Sequence, residues 1–505
     1  MTSDHRFWQR SALMTAGLFA IVWSIIRASA QSLSLDEADT YFWFASRSAN
    51  YIFYPFPNNH VLNSLLMWIA TRAFGLSSLT VRLPALLGAV LYISTSYVLC
   101  RSMINRISLQ FPVFVCLVYN PFVLDFMSAA RGYSLATAFL LAAISIPVWY
   151  DRTEAAKAPA RYSALASLAL GLSFAANFPF AFVDLAAFLA IVTWAIRRRG
   201  TDSLIRVLSC CIFPGLLVVL LLGGYPLTHW PKGELWYGAH SFQETTQSLI
   251  EASLYRLDPR FAQSGWYQAV DFLKVFLLPV LAILCLCQLA ATIFDGSWLA
   301  DARARYQARF AIAMAAIVAM TILLHWLAFR FDNLLLPRTR TGIFLIPLCT
   351  LVAAGIAASP TRSRVSQWLG TATTTAFICL ACYFLLCLRV SYFNEYQYGA
   401  DIKDVYRVLA RLNHAYGVTD VVVHGMYLSP LNFYRVLSKK ETFPEFPYVS
   451  DTNLPVGKTV YVLNGPYFDA FLKKQNLAVI YRGKSTEVVV AVSPNGLVPP
   501  IVIDP

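Results

Sequence analysis

Runs of roughly twenty apolar residues recur along this chain, separated by short basic connections, and few folds tolerate that pattern. A helix rising 1.5 Å per residue needs about twenty apolar residues to cross a hydrocarbon core. Eleven segments approach that length: about 10–28, 81–100, 109–127, 132–150, 162–177, 179–196, 204–223, 268–293, 307–328, 340–358 and 366–388. The 505 residues are 58% hydrophobic and 13% charged, where a soluble domain carries about a quarter charged residues. The fold class expected is a polytopic α-helical membrane protein with about eleven transmembrane helices.

The net charge of +13 does not call for a nucleic-acid partner, because the positives sit between apolar runs. Arg101 and Arg106, then Arg152, Lys157 and Arg161, then Arg197, Arg198, Arg199 and Arg206 fall on alternate connections, as do Arg303, Arg305, Arg309, Arg362 and Arg364. The positive-inside rule makes that side cytoplasmic. The first outer loop, 29–80, and the larger loop, 224–267, then face outward. The expected location is the cytoplasmic (inner) membrane. The Ala-Ser-Ala at 28–30, following Arg27, reads as a helix boundary rather than a signal-peptidase site. The ten cysteines lie in or beside apolar segments and read as packing residues.

Within the first loop, residues 61–75 ("VLNSLLMWIATRAFG") carry an amphipathic rhythm suited to an interfacial helix. From 389 onward the pattern changes. "DIKDVYRVLARLNHAYGVTDVVVHG" reads as a helix, a glycine turn and a β-branched strand, and "KTVYVLNG", "LAVIYRGK" and "STEVVVAVSP" read as further strands. The domain plan is thus 1–388 for the membrane region and 389–505 for a small extracytoplasmic α/β domain.

Two kinds of residue could carry chemistry. Asp36 and Glu37 stand side by side at the end of the first apolar run, with Tyr41, Phe42, Trp43 and Phe44 close behind. Such carboxylates suit a general base for an attacking hydroxyl or amine, and they could together hold a divalent cation. Arg131 and Tyr133 in "SAARGYSLA", with Arg338 and Arg340 in "LPRTRTG", place guanidinium groups at outer helix ends, against the positive-inside trend. Guanidinium matches phosphate oxygens bidentately, so an anionic partner is expected there. Arg330 and Lys232 are weaker helpers. Asn59 and His60 begin the interfacial helix, and Asp184 is an ionisable residue within an apolar run, a functional candidate by default. The acids and arginines are expected to converge on one outer layer.

In this order, "LDEADTYFWF", "NNHVLNSLLMWIATRAFGLSSLTVRLPALLGAV", "ARGYSL" and "LPRTRTGIFLIP" resemble the GT-C membrane glycosyltransferases. The group most similar is the bacterial family-39-like one, akin to protein O-mannosyltransferases and the lipid A aminoarabinose transferase. The resemblance implies an inverting transfer of sugar from a polyprenyl-phosphate donor to a lipid, glycan or protein acceptor. It implies Asp36 as base with Glu37 as its acidic neighbour, and Arg131 with Arg340 (or Arg338) on the donor phosphate. The chain departs from the family's His-Pro-Pro pattern at His60-Val61-Leu62. Two other readings use the same residues. A transporter or flippase of an anionic lipid would bind cargo through the arginines, although broken helices and repeats are lacking. A non-catalytic envelope assembly protein would act through its outer domain.

Overall fold

The computed structural model describes residues 3–153, 159–231, 233, 237–254, 266–294, 306–359, 364–438, 443–450 and 454–493. Lys232, Lys157, Arg303, Arg305, Arg362 and part of the 224–267 loop lie outside these. Among the described residues nine helices are long and apolar enough to cross a membrane: Arg10–Ala30, Ser78–Met103, Tyr133–Asp151, Phe178–Arg198, Leu204–Thr228, Val270–Phe294, Tyr306–Asp332, Thr339–Ala358 and Gln367–Leu386. The chain is a multi-pass membrane protein.

Two expected spans differ from the reading. The stretch 109–127 is divided into helices Ile107–Val118 and Pro121–Phe126. Asn120 stops the first and caps the second: its Oδ1 accepts from Phe122 N (3.1 Å) and Val123 N (3.2 Å), with Pro121 opening the new helix. Proline tolerates that first-turn position because its missing N–H has no partner there. The stretch 162–177 is helical, Pro159–Ala176, but is not among the nine long apolar helices, being rich in small residues. Ser167 Oγ accepts from Gly215 N at 3.0 Å, and a Cβ on Gly171 would lie 2.6 Å from Gly215 O. Small residues spaced four apart let two helix backbones meet, as at many membrane crossings.

The described chain divides into two compact units. One comprises Met1–Ile25, Phe53–Asn63 and Pro84–Leu388 and holds most of the apolar helices. The other comprises Ile26–Ile52, Ser64–Leu83 and Arg389–Pro505. Its sheet has four strands, β1 (Val421–Val423), β2 (Val460–Asn464), β3 (Ala478–Arg482) and β4 (Val488–Val492), in the order β1-β2-β4-β3. β1 and β2 are parallel, and β4 runs antiparallel to both β2 and β3. Helix Ile402–Tyr416 ends at Gly417, whose φ of 67° is left-handed, the usual glycine solution for a helix C-terminus. All four strands sit where the β-branched runs were read. Tyr461, Val462, Val488 and Val490 are buried.

Candidate functional site

The acidic segment belongs wholly to the second unit. Ser34 caps the short helix Leu35–Thr40 in a capping box with Glu37. Ser34 N and Oγ both donate to Glu37 Oε2, at 2.9 and 3.1 Å. Arg82 completes the arrangement. Its Nε donates to Glu37 Oε1 and its Nη2 to Oε2, each at 2.8 Å. The remaining N–H groups reach the carbonyls of Ala28 and Gln31 (both 2.9 Å) and Ser32 (2.8 Å). A guanidinium has five N–H donors, and all five are committed here. Both side chains are fully buried. Glu37 is therefore an anchor whose oxygens are engaged, and Arg82, not singled out from the sequence, is its counter-ion.

Asp36, one residue earlier, projects differently. It is half-buried, and its Oδ2 accepts from the Tyr396 hydroxyl at 3.1 Å. The aromatic stretch after it forms a π-helical turn, Tyr41–Ala45, closed by Ser46 N donating to Tyr41 O at 2.7 Å. Single π turns of this kind recur at functional sites. Tyr41 stands edge-on to Phe433, 5.6 Å between ring centres, and Arg72 donates to the Ala45 and Arg47 carbonyls at 3.1 and 2.8 Å. The π turn that follows the Asp36 helix is thus tied down at both ends.

The guanidinium cluster belongs to the first unit. Arg131 is fully buried in the turn between helices Pro121–Phe126 and Tyr133–Thr153, and its Nη2 donates to Asn58 Oδ1. Its neighbour Gly132 is sterically obligatory: an added Cβ would lie 1.8 Å from Ala176 O and 2.9 Å from His60 Cβ. Tyr133 stacks edge-on against His60 at 5.2 Å and tilts against Phe126 at 4.7 Å. Arg340 sits on the turn Thr339–Gly342, its guanidinium 4.6 Å above the Tyr237 ring. Arg338, two residues earlier, points to a different partner, Glu244, at 3.2 Å, and its side chain is 47% exposed.

His60 lies within the electrostatic reach of both Arg131 and Arg340. Burial, then Arg131, then Arg340, hold its imidazole well below the usual histidine range near 6.5. The ring is neutral at pH 7, and its Nε2 is buried with no hydrogen-bond partner among the described residues. Asn63 Oδ1 and both polar atoms of Asn177 share that condition, although Asn63 Nδ2 donates to Ala130 O at 3.3 Å. Buried polar atoms without partners are uncommon in folded proteins. These three flank the Arg131 turn, Asn177 following directly on Ala176. Asn63 and Asn177 were not marked in the sequence, and only their place beside apolar runs could have flagged them.

The depressed histidine gives a testable pH dependence. A base whose folded pKa is lowered contributes stability above its unfolded value, and that contribution is lost as pH falls below about 6.5. Thermal unfolding of purified protein should show stability dropping toward pH 5 with a slope approaching about 1.4 kcal/mol per pH unit from this group. His60→Gln should flatten that limb. An identical limb in the variant would mean that other groups set it.

The remaining sequence candidates are placed as follows. Asn59 is buried and donates from Nδ2 to Tyr54 O at 2.9 Å, which fixes the loop ahead of His60. Asp184 is buried in the Ala181–Arg198 helix, with Ser173 as its polar neighbour and no cation pairing with it among the described residues. Among the described residues no group of three or more His, Cys, Asp or Glu side chains is placed to hold a metal ion, and the Glu37 oxygens of the candidate cation pair are taken up by Arg82 and Ser34.

No family model and no curated protein matches this sequence. Comparison with solved structures does find neighbours. ArnT from Cupriavidus metallidurans bound to undecaprenyl phosphate superposes with a TM-score of 0.50 at 13% identity, covering 94% of this chain and 96% of that one. The apo form of the same protein gives a TM-score of 0.47 at 11% identity, over 97% and 98%. The Archaeoglobus fulgidus oligosaccharyltransferase in its apo form gives 0.42 at 12% identity, over 85% of this chain and 64% of that one. At such low identity the likeness speaks to fold, and it runs nearly end to end for ArnT: this chain has a GT-C-like fold.

Proposed function

We propose that this protein is an inverting glycosyltransferase that moves a sugar from a polyprenyl-phosphate donor to a lipid, glycan or protein acceptor. We place the reaction at the outer face of the inner membrane, with the C-terminal sheet on that side. The observation that carries the reading is the pairing of the buried Arg131 guanidinium and that of Arg340 around a neutral imidazole, within a fold shared with a protein solved with undecaprenyl phosphate bound.

The proposed step is a single displacement. The acceptor oxygen or nitrogen attacks the anomeric carbon, the carbon–oxygen bond to phosphate breaks, and its electron pair leaves with the polyprenyl phosphate. Asp36 takes the acceptor's proton. Charge grows on the phosphate as that bond lengthens, so preorganised guanidinium groups stabilise the transition state more than the ground state. Glu37 acts by position, holding the Asp36 turn through Arg82. His60 stays uncharged and offers Nε2 to the donor, while Tyr133 packs its ring in place. Arg338 is assigned to its ion pair with Glu244 and not to phosphate.

Donor binding tests this directly. With purified full-length protein and a radiolabelled polyprenyl-phosphate sugar, Arg131→Ala and Arg340→Ala should each weaken donor affinity by about tenfold to a hundredfold, the worth of hydrogen bonds to a charged group. Arg338→Ala, removing an exposed ion pair, should stay within about threefold. Unchanged affinity in both of the first two variants would remove the phosphate assignment. Transport of the intact donor across vesicles, without sugar transfer, would favour the flippase reading instead.

A further inference from the structure

A cavity lies away from these clusters, within the first unit, at the ends of helices Tyr133–Thr153, Ala181–Arg198 and Tyr306–Asp332. Its volume is about 730 Å³, inside the range of about 300–1,000 Å³ usual for small-molecule sites. Its walls are apolar, among them Ile144, Ile191, Ile317 and Met320, while Arg197, Arg198, Arg309 and Asp151 line one end. Among the described residues, that end has three arginines to one aspartate. Asp151 Oδ1 is shared by Arg198 Nε (3.1 Å) and Trp194 Nε1 (3.3 Å).

The dimensions identify the occupant. From Arg309 to Met320 along one helix, and from Arg198 back to Ala186 along another, the lined surface extends about 17 Å at 1.5 Å per residue. That is roughly half the 30 Å hydrocarbon core, or one leaflet. An apolar trench one leaflet deep with cations at its rim matches a lipid with an anionic headgroup, chain along the helices and phosphate at the arginines. A free phosphate would use the rim and leave the trench bare. We propose that this groove is a binding site for an anionic phospholipid, separate from the donor phosphate site.

Trp194 lines the groove and supplies the readout. Full-length protein is reconstituted in phosphatidylcholine vesicles containing a minor fraction of chain-brominated phosphatidylglycerol or, in parallel, chain-brominated phosphatidylcholine. The Trp194 signal is the fluorescence difference between wild type and Trp194→Phe. Brominated phosphatidylglycerol should quench that signal several-fold more effectively. Arg197→Ala and Arg309→Ala should each reduce the preference on the order of fivefold. Ala316→Phe, which fills the trench and keeps the arginines, should lower it as well. Equal quenching by the two lipids in wild type would overturn the proposal, as would an Ala316→Phe variant with its preference intact. Full relief of quenching by inorganic phosphate would assign the rim to a soluble anion and also defeat the lipid assignment. Thermal melting of each variant separates misfolding from loss of the site.

Discussion

Replacing Arg82 with Met should cost the folded protein about 3–5 kcal/mol, because it strands the Glu37 carboxylate in a dry interior. The guanidinium is fully buried, and it also saturates three backbone carbonyls of the 28–32 segment. The double variant Arg82→Met with Glu37→Gln removes the stranded charge and should recover a substantial part of the loss. Equilibrium unfolding or thermal melting of wild type, Arg82→Met, Glu37→Gln and the double variant gives the coupling energy as a double-mutant cycle. If the single and double variants were equally unstable, the cost would lie in the carbonyl contacts and the ion pair would be incidental. Transfer activity should fall with stability in the single variant, since the helix carrying Asp36 rests on the same pair.

Asp36→Asn should separate chemistry from architecture. The replacement keeps the shape and an oxygen able to accept from Tyr396, so melting temperature and donor affinity should remain near wild type. Sugar transfer should drop by about 10²–10⁴-fold, the usual worth of a general base. A quantitative transfer assay with saturating donor decides the matter: wild-type turnover would remove Asp36 as the base. Glu37→Gln should behave in the opposite sense, losing stability first.

Where sequence and structure agree, the reason is periodicity. Apolar runs of fixed length announce helices in a bilayer, and the β-branched runs at 421–423, 460–464, 478–482 and 488–492 announced their strands, since both patterns are local. The break at Asn120-Pro121 was written in the chain as a cap followed by proline, but the apolar run continues across it and outweighs the local signal. The role of Glu37 could not be read in that way. Its partner lies 45 residues away in a different helix, and a carboxylate beside another carboxylate looks the same whether it is a base or an anchor. Distinguishing Arg338 from Arg340 likewise needed Glu244, which lies nearly a hundred residues upstream. Tyr396 on Asp36 spans 360 positions. Long-range pairing of polar groups leaves no period to detect.

That last separation bears on biogenesis. The second unit draws its first segment from residues 26–52 and its bulk from beyond 389, and Arg27 Nη2 donates to Tyr392 O, 365 positions later. At about 5–20 residues per second of synthesis, the early segment emerges roughly 20–70 s before its counterpart exists. During that interval the helix carrying Asp36 has its Arg82 support within reach but lacks Tyr396. A fragment starting at residue 389 lacks the segments 26–52 and 64–83 that belong to the same unit.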